Sequence, residues 1–381
     1  MWADDWFGAA SVNTTTKVLD AGRWAYSPVR TDAAAPERNG YGRVTDRTNA
    51  DPARYVTRGA GSVCGLRTRA TLPGCSSLRA ALVADDLEQL DVEVEFDFHG
   101  HIHMLLGGAW DCGHALTYDK LQKDLDLPTL GGFVEYVAMN LNVLWRYFFF
   151  AGYLEFPDGC SYPESFDKCR GACPLLDYRL RELTDEQVYD VVDTGSILSA
   201  LSSEMLSRDA ATGRYVVDGL DYNQSVEFYR WLIPVLCAPG KMAPYATPLA
   251  APNDPVFWVS HNNYERVWAW MRLRAARPRG MPFSDSWSDD DGGGGGDDDG
   301  DARRRRRRRA ARRRLGAANS SCAGHKYHDV LPWKNFLDEQ SDDGYTNEQL
   351  VQLFDPTNPL LPHVYDTFAW DHCGFGEEVL P

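Results

Sequence analysis

One stretch of the chain leaves little choice of local structure. In Asn253-Asp254-Pro255 the acid fits a helix N-cap, and the proline fits the first helical position, where its missing N–H costs nothing. Phe257, His261, Tyr264 and Trp268 then recur at helical spacing until Pro278 ends the run. The pattern predicts a helix over 255–277, buried on its Phe257/His261/Trp268 face. A histidine on such a face is either satisfied by hydrogen bonds or recruited as a ligand.

A second group of histidines helps to decide between these uses. In Phe98-His99-Gly100-His101-Ile102-His103, His99 and His103 are four apart. That spacing sets two imidazoles on one face of a helix and turns His101 elsewhere. Three neutral imidazoles from two helices suit copper in both oxidation states and leave room for oxygen. The residues just upstream argue differently. Val92, Val94, Phe96 and Phe98 alternate with Glu93, Glu95 and Asp97, which is a strand signal. Continued through 103, it would put His99, His101 and His103 on one sheet face, a cupin-like or hydrolase-like single-metal site.

The longest apolar stretch, Tyr136–Leu154, contains Asn140, Asn142 and Arg146, with Glu135 just before it. It reads as a mostly buried helix and not a membrane span. A second helical stretch is expected over 183–207, opened by Thr184 with Gln187 as a capping box. Residues 1–75 read as loops and short strands. Residues 285–314 hold eight Asp and ten Arg around a glycine run, a low-complexity insertion expected to be solvated and disordered. Since that segment carries +2 of a total −16, the rest of the chain stands at −18 and should repel nucleic acid. Nine cysteines allow up to four disulfides, or a reduced protein with buried thiols.

Several of these residues carry a family resemblance. Asp254-Pro255-Val256-Phe257-Trp258-Val259-Ser260-His261 resembles the signature around the last ligand of the second copper in tyrosinases and polyphenol oxidases, the type-3 copper proteins. His99-Gly100-His101-Ile102-His103 followed by Gly107-Gly108 resembles the element that supplies the other two ligands, which favours the helical reading of the histidines. Trp2-Ala3-Asp4-Asp5-Trp6-Phe7-Gly8 resembles the stretch between the two copper sites, and Leu331-Pro332-Trp333 and Val364-Tyr365-Asp366 resemble the C-terminal part.

The resemblance implies a mainly α fold: a partial type-3 copper helical-bundle domain with long irregular segments. It treats 1–381 as one domain in which 115–245 is a helical, cysteine-containing insertion. It implies His99, His103 and His261 as ligands of one copper ion, with Glu265, in place of the usual Asp, as a candidate to orient a ligand. The implied reaction is the O2-dependent oxidation of phenols or o-diphenols to quinones. Gly100 leans toward diphenols, because monophenol-hydroxylating relatives often carry a polar side chain there. The family's first copper needs three more histidines, and none precedes His99. The expectation is therefore either a later part of a longer protein or a diverged, non-catalytic copper-binding or structural relative.

Overall fold

The computed structural model describes residues 6–8, 15–29, 38–39, 42–43, 54–67, 71–113, 131–157, 165–176, 181–195, 197–201, 205–246, 250–276, 282–285, 326–331, 344–361, 363–365 and 367–374. The low-complexity segment beyond Asp285 lies outside them. Helix dominates the described residues, and their strands are two or three residues long. The main helices are α1 (Cys75–Leu82), α2 (Leu87–Val92), α3 (His101–Leu106), α4 (Gly131–Phe150), α5 (Asp185–Thr194), α6 (Tyr222–Leu236), α7 (Pro255–Ala275) and α8 (Asn347–Leu353).

Residues 92–98 are not a strand. A π-helical turn, Glu93–Gly100, joins α2 to α3, so the chain is helical from 87 to 106. The strand-borne, cupin-like arrangement of His99, His101 and His103 is thereby overturned. The reason lies in a second period hidden under the alternation. Leu90, Val94, Phe98, Ile102 and Leu106 recur every four residues, and each is buried or packed against a buried cluster. A strict four-residue period runs slower than the 3.6-residue α turn. A wider i→i+5 turn takes up the difference and keeps the stripe facing inward. Asp86 caps the start by accepting from the Gln89 N–H at 2.7 Å.

Three apolar clusters organise the protein. The largest joins α4, α5 and α6 with Val63, Leu66 and Ala109, so the region between 131 and 246 shares one core with the preceding chain. α4 is mostly buried, as its apolar composition predicts, and no described helix is long and apolar enough to cross a membrane. The expected helix over 183–207 has its Thr184–Gln187 capping box, but α5 ends at Thr194. A short helix, Ile197–Ala200, and a strand, Leu206–Arg208, follow it.

The second cluster packs α1 and α2 against Val267, Trp270 and Met271 of α7 and against Trp370 near the C-terminus. The third joins Ile102 and Leu106 of α3 to Tyr245, Ala251 and Val256, with Phe7 and Phe257 at its margin. A four-stranded sheet fastens the end of α3. Its strands are β1 (Ser62–Val63), β2 (Leu66–Arg67), β3 (Ala109–Trp110) and β4 (Lys241–Met242), in the order β2-β1-β3-β4. β1 and β3 are parallel, and the other two pairings are antiparallel.

Gly107 and Gly108 lead from α3 into β3. Gly108 has φ +122°, and a Cβ on Gly107 would lie 2.8 Å from the Ala246 Cα. Both positions exclude larger residues, for conformational and steric reasons respectively.

α7 begins as its sequence requires, with Asp254 accepting from the Val256 N–H at 3.0 Å and Pro255 in the first turn. It ends at Ala275, two residues before the expected limit. Its buried face also differs from the expected one. Val256, Ser260, Val267, Trp270, Met271 and Arg274 are buried, whereas Phe257, His261 and Trp268 are only partly covered. Phe257, His261 and Tyr264 face the site, Trp268 packs at the margin of the second apolar cluster, and a neighbouring stripe faces the core. Both stripes have helical spacing, so periodicity alone cannot rank them.

The open question of cysteine oxidation resolves toward disulfides. Cys64–Cys112, Cys75–Cys373 and Cys173–Cys237 are bonded, and Cys169 is also oxidised in a disulfide.

Candidate metal centre

α3 and the turn before it supply two imidazoles, and α7 supplies the third. One ring nitrogen from each of His99, His103 and His261 lies within 4.8 Å of the others. The ring centroids are 4.4 Å apart for His99–His103, 4.7 Å for His99–His261 and 6.0 Å for His103–His261. The Nε2 atoms of His99 and His103 face each other at 2.6 Å. An ion about 2.0–2.1 Å from each nitrogen would hold them ~2.9 Å apart at a right angle, so a small outward turn of one ring suffices.

Each ring is aimed by a backbone carbonyl. His103 Nδ1 pairs with the Tyr245 carbonyl at 2.6 Å and His261 Nδ1 with the Phe257 carbonyl at 2.8 Å. A hydrogen bond to the Glu95 backbone holds the His99 ring. When Nδ1–H donates to a carbonyl, the lone pair resides on Nε2, the orientation a metal ligand needs.

The Phe257 ring stacks on His261 at 3.7 Å between centroids. Tyr264 stands edge-on to His99 and His261 at 4.9 and 5.1 Å. Ser260 is buried and shares a 2.7 Å hydrogen bond with the Tyr245 hydroxyl.

These surroundings keep the imidazoles neutral. Burial, followed by the proximity of His103 and His261, lowers the pKa of His99 to about 3. Burial is also the main cause at His103, lowered to about 4 despite the opposing bond to Tyr245. Burial lowers His261 too. Neutral imidazole is the metal-binding form, so the protein prepares three donors that protons do not occupy near neutrality.

Other residues singled out from the sequence fall elsewhere. His101 is exposed, with Nδ1 3.3 Å from the Thr71 carbonyl. Glu265 has no hydrogen bond to a ligand histidine among the described residues. The Tyr365 hydroxyl donates to its carboxylate and His363 Nε2 lies 3.6 Å away, so it fastens the C-terminal segment to the outer side of α7. The carbonyls of Tyr245 and Phe257 serve as the orienting groups instead. A backbone acceptor leaves no trace in residue identity, and so no motif could have revealed them.

The sequence also gave no hint of Arg58. Its guanidinium donates to both carboxylate oxygens of Asp254, from Nε at 2.8 Å and Nη2 at 2.9 Å, with both side chains fully buried. This fork ties the chain before β1 to the N-terminus of the helix carrying His261.

The three histidines thus form a group that could hold a metal ion. Comparison of the chain with protein families, curated proteins and solved structures gives no match.

Proposed function

We propose that this chain is a copper-binding protein of the type-3 copper oxidase kind, with one ion held by His99, His103 and His261. The observation that supports the reading is the convergence of three neutral imidazoles from two helices, each aimed by a backbone carbonyl. Copper suits such a nitrogen donor set, as do several other divalent ions, and the resemblance around His261 selects copper among them. Bound there, it would supply one-electron redox chemistry with a coordination position free for O2 or a phenolic oxygen. The protein's own part is to fix the three rings, exclude protons from them and offer the apolar faces of Phe257 and Tyr264 beside the site.

Oxidising a phenol or o-diphenol to its quinone removes two electrons, and the family uses two coppers for it. Among the described residues there is no second histidine trio: His101 faces Thr71, His328 faces Glu348, and His363 faces Glu265. This favours copper binding without turnover by this chain alone.

Copper content by elemental analysis tests the reading. The expected result is at most one ion per chain, lost on His261→Ala and retained on His101→Ala. Copper uptake unaffected by His261→Ala would refute it. Rapid catechol oxidation by the chain alone would refute the one-ion limit.

A further inference from the structure

Outside the histidine trio, the described residues gather one other set of metal-donor atoms. The sulfurs of Cys75 and Cys373 and a ring nitrogen of His372 all lie within 4.8 Å of one another. The two sulfurs are joined as a disulfide between positions 298 residues apart. We propose that this disulfide is the oxidised form of a redox-gated metal site. Once a dithiol reduces it, Cys75, Cys373 and His372 bind one d10 ion of the zinc(II) type.

Accessibility singles out this bond. Cys64, Cys169, Cys173 and Cys237 are buried, so each other disulfide seen here has at least one enclosed partner. Neither Cys75 nor Cys373 is buried. A thiolate must reach sulfur to exchange with it, so the Cys75–Cys373 bond opens first.

The surroundings favour what exchange would release. Cys75 is the first residue of α1, whose first turn contains no acidic residue and whose N-cap, Gly74, makes no side-chain cap bond. The unpaired N–H groups at that end stabilise a negative sulfur. Cys373 closes a 3-10 turn, Asp371–Cys373, and the exposed His372 precedes it.

The geometry fits as well. A tetrahedral ion about 2.3 Å from sulfur and about 2.0–2.1 Å from nitrogen needs its donors ~3.6–3.8 Å apart. The three atoms already lie within 4.8 Å. Once the bond is broken, the sulfurs need only separate by side-chain rotation, because their Cα atoms are 5.3 Å apart.

The chemistry balances. The dithiol delivers two electrons and two protons, the S–S bond breaks, and the reductant leaves as its own disulfide. The two new thiols release their protons to water as the ion binds, and the ion's oxidation state does not change.

The metal form would keep the same two parts of the chain tied. Cys75 opens a helix of the second core cluster. Cys373 ends a segment whose Phe368 and Trp370 pack on Trp270 and whose Thr367 carbonyl accepts from Arg266 at 2.7 Å. Disulfide or ion, the staple holds that segment against α7.

The test uses the full oxidised chain, limited treatment with dithiothreitol, and removal of the reductant. Mass spectrometry then locates the free thiols, and Zn2+ is titrated against a chromophoric chelator. The reduced protein is expected to take up one more zinc equivalent than the oxidised one and to release it on reoxidation. His372→Ala, an exposed change that leaves the fold intact, should weaken that additional equivalent by about tenfold or more. Equal zinc uptake by the two forms, earlier opening of another disulfide, or full affinity in His372→Ala would each overturn the proposal.

Discussion

Replacing Arg58 by Met should cost about 3–5 kcal/mol of folding stability, the usual consequence of stripping one partner from a buried ion pair. Both side chains are fully buried, and the pair is bidentate at 2.8 and 2.9 Å. Asp254 would lose both of these bonds and keep only its cap bond to the Val256 N–H at 3.0 Å. Methionine fills most of the volume of the arginine stem, so the loss reports on charge more than on a cavity. The reverse change, Asp254→Asn, preserves a good N-cap. It leaves a guanidinium that cannot shed its proton inside the protein, so it should be no milder. With total stability of a domain commonly about 5–15 kcal/mol, either variant should shift the urea midpoint strongly. The decisive assay is a double-mutant cycle by urea denaturation. The double variant Arg58→Met/Asp254→Asn should be more stable than the sum of the two losses predicts, by about 2 kcal/mol or more. Losses below about 1 kcal/mol for each single variant, or simple additivity, would refute the view that this fork secures the start of α7.

Acid should destabilise the metal-free protein through the buried imidazoles. His99 falls to about 3 in the fold, against about 6.5 unfolded. Its native form therefore stays neutral while the unfolded chain takes up a proton as pH drops through 6.5. Stability is complete above that value and is lost below it, by about 2 kcal/mol for His99 alone between pH 7.5 and 5. His99→Gln should flatten the pH dependence of the urea midpoint, and equal slopes for the two proteins would contradict this. Gly107→Ala would drive a Cβ into the His103 carbonyl oxygen and to 2.8 Å from the Ala246 Cα. It should lower both the thermal midpoint and metal affinity, checked by calorimetry and chelator competition. Deleting 286–314, whose glycine and charge runs offer little apolar surface, should leave the thermal midpoint nearly unchanged.

The sequence by itself determined the start of α7, because Asp254 and Pro255 are local signals whose effect needs no distant partner. The Thr184–Gln187 capping box was equally readable, and so was the His99/His103 spacing once the segment was taken as helical. The sequence could not determine that segment's backbone. The 92–98 alternation and the four-residue stripe from Leu90 to Leu106 coexist in the same letters, and only packing against α1, α7 and the Tyr245 turn favours the second. Tertiary structure alone also decided that Arg58 meets Asp254 across 196 positions, that Cys75 meets Cys373, and that carbonyls of Glu95, Tyr245 and Phe257 aim the histidines. Contacts between distant positions and contacts made by the backbone leave no periodic mark on a chain. They arise when apolar faces close together and every enclosed polar group must find a partner.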